Sequence, residues 1–481
     1  MRLGAILIGL LPFLLFELVL TLIGWQAPGG VADPYVGFTA VRPLFELDES
    51  GTRYAISQHR MPLFCPDDFS AEKPKDEYRV FCLGGSTVQG RPFAIETSFS
   101  KWLELRLQAA DPSKKWNVIN CGGVSYASYR LAPIMDEILK YKPDLIVLYT
   151  GHNEFLEDRT YESIKLTAPW VMRTHERLSA VRTYSFLRQL VVGSGVDEQA
   201  AERLPLDVEA RLDFREGLTK YHRDDEWKRN VVQHFEHNLR RMAQAAGDAN
   251  VPLMLCNPTA NLVDAAPFKS QHDSGLSDSE VAEFSEAWQQ LNEDELGILL
   301  NQTDDELKDL VELCRLSPRH AGVQYRLGVA YYQRGDFENA KRHLLLGKEE
   351  DVCPLRIIEP MYDVIANVAA EFRLPLVDVK AEFESRAEGR IPGRELLVDH
   401  VHPSIHGHQL ISGWILDEML EQEWVALPKE WSEESSGVAL QNELFQSHLE
   451  SLPYVYFELG KDRLAGLKRW AEGKVTRERE E

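Results

Sequence analysis

The stretch Tyr78-Arg-Val-Phe-Cys-Leu83-Gly84-Gly85-Ser86-Thr87 decides the fold of this chain. A short run rich in strand formers meets two glycines, and Phe99 to Ala109 follows with Trp102, Leu103, Leu105 and Leu107 at helical spacing. The pattern reads as strand, tight loop, helix. It recurs outward through strand Val118 to Asn120, a helix around Leu131 to Tyr141, strand Leu145 to Tyr149, helix Val231 to Ala246 and strand Leu253 to Cys256. Alternation of this kind predicts an α/β fold, a mostly parallel sheet with helices on both faces.

Beyond Cys256 the alternation stops, and Leu276 to Glu349 reads as consecutive amphipathic helices. Within it, Tyr325-Arg-Leu-Gly328-Val-Ala330-Tyr331-Tyr332 followed by Gly335-Asp-Phe337-Glu-Asn-Ala340 resembles one tetratricopeptide repeat. A single repeat cannot bury its own face, so Ser279 to Leu291 and Asp304 to Cys314 are expected to pack against it. Such a layer serves either as a helical cap on the sheet or as a docking surface for a protein partner. The sheet pattern resumes with helix Ile358 to Phe372 and strand Leu376 to Val379, and closes with helix Gln409 to Leu420. The expected domains are therefore an anchor or signal over 1–26, a linker over 27–76, the sheet domain over 77–275 and 353–425, the helical insertion over 276–352 and a helical tail over 426–481. Residues 157–227, of mixed charge and apolar pieces, form a second insertion and a candidate lid.

Composition narrows the function. A chain of 481 residues with 44% hydrophobic and 27% charged residues is an ordinary globular protein. Its net charge of −23 repels phosphate backbones, which excludes nucleic acid as the main partner. The basic run Lys461 to Arg479 reads as a solvated helix face. Cys65, Cys82, Cys121, Cys256, Cys314 and Cys353 lack the paired short spacings of a zinc or redox site, so no metal framework is expected, and disulfides are open but not needed.

From Leu3 to Trp25 the chain is almost wholly apolar, close to the roughly 20 residues that cross a bilayer as a helix. The run is expected to be an uncleaved membrane anchor, with Arg2 held in the cytoplasm and the body outside, periplasmic or on the cell surface. Glu17 within it is expected to sit near a helix end.

Three loops carry chemistry. Ser86 stands where the first strand ends, the place where open parallel sheets bind ligands. Asn153, in Tyr149-Thr-Gly151-His152-Asn153-Glu154, ends the third strand of the same sheet and offers a neutral N–H₂ donor suited to an oxyanion. Asp399-His-Val-His402-Pro403 precedes the final helix; it supplies a base for a serine proton and a carboxylate to hold that base. The crowding of Asp399, His400, His402, His406 and His408 raises a metal site as the competing reading, but no further ligand-rich cluster completes it.

A serine after strand one, an asparagine after strand three and Asp-x-x-His before the last helix together resemble the SGNH, or GDSL-like, hydrolase family over about Tyr78 to Phe155 and Leu253 to Leu420. The resemblance implies a three-layer α/β/α, flavodoxin-like sheet. It makes Ser86 the nucleophile, His402 the general base and acid, Asp399 its orienting partner, and Ser86 and Asn153 donors to the oxyanion. In Asn120-Cys-Gly122-Gly123-Val-Ser125-Tyr126, a gapless alignment puts Ser125 where the family has its oxyanion glycine. Either Ser125 serves, or the loop shifts and Gly123 does. The first block also departs from the family, since Gly-Gly-Ser-Thr lacks its usual acidic neighbour. The implied activity is a cofactor-free esterase acting on an acyl ester, by resemblance an acetyl ester on a carbohydrate or cell-envelope substrate. Relatives of this architecture imply an alternative, acetyl transfer to an exopolysaccharide hydroxyl with the same residues. A non-catalytic adaptor binding partners through the helical insertion is the reading from a different class. Arg356, Tyr126 and Tyr129 are further candidates to line the cleft, with core and surface roles as their ordinary alternatives.

Overall fold

A computed structural model describes residues 2–23, 42–157, 182–184, 186–187, 208, 210–214, 216–273, 275–292, 304–426 and 435–471. The chain divides into two compact units, Met1–Pro43 with Asp158–Asp207, and Leu44–Glu157 with Val208–Glu481.

The first unit contains the apolar helix Arg2–Leu22. Among the described residues no helix is long and apolar enough to cross a membrane. Glu17, five residues short of the end of this helix, finds partners of its own: its carboxylate accepts from the backbone N–H groups of Arg182 and Thr183 at 2.9 and 2.7 Å and from the Thr183 hydroxyl at 2.7 Å. Most of the expected lid, including 158–181 and 188–207, lies outside the described residues, as do residues 1 and 24–26 of the expected anchor.

The second unit is built on a five-stranded parallel sheet of β4 (Glu77–Gly84), β5 (Lys115–Gly122), β6 (Leu145–Tyr149), β7 (Leu253–Cys256) and β8 (Leu376–Val377), in the order β5-β4-β6-β7-β8. All neighbours are parallel, with Gly84 level with Gly122 on one side and Tyr149 on the other. Residues alternate between the faces. Val80, Cys82, Val147, Met254 and Cys256 join one buried cluster with Leu103 and Leu107 of helix Phe99–Ala110 and Ile411, Ile415 and Met419 of helix Ile405–Glu421. The other face is covered by helices Ser128–Ile138, Asp225–Asp248 and Glu359–Phe372, which pack in series. At roughly 1.5–3 kcal/mol for each fully buried large apolar side chain, this two-sided burial is the main term holding the sheet.

Two expected strands change by more than one residue. The strand expected over Val118 to Asn120 extends to Lys115 and Gly122, because Glu77 and Tyr78 pair with Lys115 and Trp116. The last strand stops at Val377, because the Asp378 side chain accepts from Ala381 N–H and caps a helix that begins at Val379.

The expected linker holds structure from Phe45 onward. β1 (Phe45–Leu47), β2 (Arg53–Ile56) and β3 (Asp68–Ser70) form an antiparallel meander. Phe45, Phe69, Phe81 and Tyr141 interlock edge to face, with Phe69 and Phe81 5.3 Å apart and Phe45 and Phe69 5.0 Å apart. The buried Arg79 guanidinium lies over Phe69 and donates to Glu77, the Tyr141 carbonyl and the Ser70 carbonyl.

Helices Asp278–Asn292, Asp304–Leu316, Ala321–Gln333 and Phe337–Glu349 occupy the segment read as consecutive helices. Phe284, Leu310, Leu313, Val323 and Leu327 are buried among them, so each helix covers a face its neighbour exposes. The basic run is helical through Ala471 with Lys461, Arg463, Lys468 and Arg469 exposed; residues 472–479 lie outside the described residues. All six cysteines are free.

Candidate active site

Every strand of a parallel sheet points the same way, so the loops after β4, β5 and β6 open on one edge. β4 ends at Gly84, and Ser86 begins a single helical turn that closes at Gly90. The residues from Val80 to Gly90 are buried except Ser86, which is half-buried. A Cβ on Gly85 would lie 2.6 Å from the Asn153 side-chain nitrogen, so only glycine lets the two loops approach.

His402 reaches this point from 316 residues further along the chain, and its Nε2 lies 2.8 Å from Ser86 Oγ. Its Nδ1 is 2.7 Å from Asp399 Oδ2, while Asp399 Oδ1 accepts from the N–H groups of Val401 and His402 at 2.9 and 2.8 Å. The loop is closed by Val398 N–H donating to the His402 carbonyl and Ser404 N–H donating to the Leu396 carbonyl. Burial alone would raise the Asp399 carboxyl, but His402, His400 and the hydrogen bonds from His402 and Val401 outweigh it and hold the group well below the usual carboxylate range. Asp399 is therefore an anion. An anion accepts a hydrogen bond from Nδ1–H and so keeps the proton on Nδ1, which leaves Nε2 as the acceptor for the Ser86 hydroxyl.

The two alternatives after β5 separate cleanly. Gly123 N–H donates to the Gly84 carbonyl at 3.0 Å and is engaged. Among the described residues Ser125 N–H has no acceptor, and Ser125 sits at φ 62°, the left-handed conformation that a glycine takes readily. Ser86 N–H, at the start of its helical turn, is likewise without an acceptor among the described residues. Asn153 uses one amide hydrogen on the Tyr126 carbonyl at 3.0 Å, and an N–H₂ group has a second. Ser86, Ser125 and Asn153 are all partly exposed, so each donor can meet a ligand.

The other candidates have contacts of their own. Tyr126 is buried, stacks edge to face on Phe64 and accepts from Arg60 at 2.7 Å; Tyr129 contacts Glu157; Arg356 is buried and donates to the carbonyls of Asn261 and Ala265 at 3.0 and 2.7 Å. His400 packs on Phe268, His406 is exposed, and His408 stacks on Phe99 while accepting from Phe99 N–H at 3.3 Å. Among the described residues no group of three or more His, Cys, Asp or Glu side chains is arranged to hold a metal ion.

Two contributors were not read from the sequence. The Tyr126 carbonyl orients the Asn153 amide, and a backbone oxygen leaves no mark in residue types. Glu154, directly after Asn153, is buried and accepts from Ser128 N–H and Oγ at 2.8 Å each, which ties the Asn153 loop to the start of helix Ser128–Ile138. Its only sequence signal is its place beside Asn153.

No protein-family model matches the chain, and no curated protein does. Among solved structures it is similar to an α/β-hydrolase enzyme from the metagenome of Lake Arreo, Spain, at 13% identity and a TM-score of 0.31, covering 72% of this chain and 96% of that one. It is also similar to the lipase/acylhydrolase from Enterococcus faecalis, at 14% identity and a TM-score of 0.31, covering 72% and 96%.

Proposed function

We propose that this chain is a serine esterase in which Ser86 attacks an ester carbonyl, His402 takes its proton and then protonates the leaving alcohol, and Asp399 holds the imidazole. The observation that carries this reading is the continuous relay of 2.8 and 2.7 Å from Ser86 Oγ through His402 to Asp399. The negative charge that develops on the carbonyl oxygen would be met by the N–H groups of Ser86 and Ser125 and the second hydrogen of Asn153. Water then releases the acyl group from Ser86.

By resemblance, the substrate is an acetyl ester of a carbohydrate or other cell-envelope polyol, with no cofactor. The apolar helix Arg2–Leu22 is proposed to hold the protein at a membrane with the hydrolase unit on the outer side. The full chain, recovered in mild detergent, should hydrolyse p-nitrophenyl acetate faster than the octanoate, and Ser86→Ala should abolish this. A wild-type protein with no turnover on any chain length, and none with a sugar acceptor added, would refute the esterase reading. Recovery of the protein in the soluble fraction without detergent would refute the membrane location.

A further inference from the structure

Val124 and Tyr126, the residues on either side of Ser125, are both held by a segment of the β1–β3 meander. That segment, Ser57 to Phe64, lies between β2 and β3 and carries the short helical turn Gln58–Arg60. Its base is closed where Ile56 N–H donates to the Asp67 carbonyl at 3.0 Å and Ser57 N–H donates to the Leu44 carbonyl at 2.8 Å. The Asp67 carboxylate in turn accepts from Asn120 N–H at 2.8 Å, which ties the base to β5.

Arg60 organises this segment with both its backbone and its side chain. Its carbonyl accepts from the N–H groups of Leu63 and Phe64, each at 3.0 Å, which folds the chain into a turn. The Leu63 carbonyl on that turn accepts from Val124 N–H at 2.9 Å and from Gln89 Nε2 at 2.9 Å, so the Ser86 turn and the loop after β5 meet at one oxygen. Phe64 packs edge to face on Tyr126 with ring centres 4.8 Å apart, and a Cβ on Gly123 would lie 2.6 Å from Phe64 Cζ. The Arg60 guanidinium, on a residue only 4% exposed, donates from Nη1 to the Tyr126 hydroxyl at 2.7 Å. At its backbone end Tyr126 offers the carbonyl that receives the Asn153 amide at 3.0 Å.

Both oxyanion donors other than Ser86 therefore hang on this brace. Ser125 keeps its φ of 62° between two tethered neighbours, and a residue other than glycine persists in that region only where its surroundings over-determine it. A donor to an oxyanion acts most strongly when it is fixed in place before the charge develops. A buried guanidinium is also costly where an apolar side chain of like volume would pack, so its bond to Tyr126 calls for a role beyond filling space. We propose that Arg60 is a positioning residue for the oxyanion hole, which through Tyr126 and Leu63 fixes the Asn153 amide and the Ser125 N–H. The assignment rests on the serine esterase reading and gives the meander that precedes the sheet a part in the chemistry.

The test measures kcat and KM on p-nitrophenyl acetate for the full chain in mild detergent carrying Arg60→Met, Tyr126→Phe or both, since each change removes the hydrogen bond and keeps most of the volume. Each single variant should lose about 10- to 100-fold in kcat with KM within about twofold, because the contact matters when the oxyanion forms and not when the ester binds. The double variant should lose no more than the worse single one, since both changes cut one link. Should Arg60→Met fail to fold, Tyr126→Phe, which keeps the ring against Phe64, reads the same link. With turnover abolished by Ser86→Ala, an unchanged kcat, a loss carried by KM or losses that multiply in the double variant overturn the assignment and leave the esterase standing. Turnover that survives Ser86→Ala brings down the esterase reading and the assignment with it.

Discussion

At the scale of single residues, the relay makes graded demands. Removing Ser86 Oγ should lower kcat on p-nitrophenyl acetate by at least about 10⁴-fold. Asp399→Asn should cost about 10³- to 10⁴-fold, since an amide no longer fixes the proton on Nδ1. Asn153→Ala, losing one donor, should cost about 10²- to 10³-fold. Ser125 separates backbone from side chain: it sits at φ 62°, where a β-branched residue is strained and glycine is not. Ser125→Val should therefore lose at least about tenfold more kcat than Ser125→Gly, and equal losses would show that the hydroxyl matters instead. Ser86, Asn153, Asp399 and His402 were legible because each lies where a strand ends or where a final helix begins. The choice between Ser125 and Gly123 was not, because it turns on which N–H an adjacent carbonyl captures.

At the scale of elements, Glu154 joins the loop after β6 to helix Ser128–Ile138. Burial pushes its carboxyl up to about 7 against the lowering effect of the Ser128 N–H and hydroxyl. The folded value lies above the unfolded one near 4.5, so its contribution to stability is full below about pH 4.5 and is lost as pH rises through 7. Glu154→Gln should remove on the order of 3 kcal/mol from the stability difference between pH 5 and pH 8, read from urea unfolding at each pH. An unchanged pH dependence would mean that other buried carboxyls, such as Asp67, dominate. The parallel sheet was readable at this scale because alternating strand and helix periods survive in a single sequence. The β1–β3 meander was not, because its strands are three or four residues long and are held by aromatic contacts to distant Phe81 and Tyr141.

At the scale of the whole molecule, a net charge of −23 sets up a repulsive field toward anionic substrates. For an ester bearing a carboxylate, kcat/KM should rise severalfold between about 10 mM and 500 mM salt as the field is screened, while a neutral ester of similar size should respond little. A flat profile for both would place the negative charge away from the approach to Ser86. One more consequence follows from the 316 residues that separate the nucleophile from its base. A ribosome completes β4 and the Ser86 turn long before it reaches His402, so every unfinished chain is hydrolytically silent. In the proposed esterase, ester cleavage would thus report that the whole unit has closed.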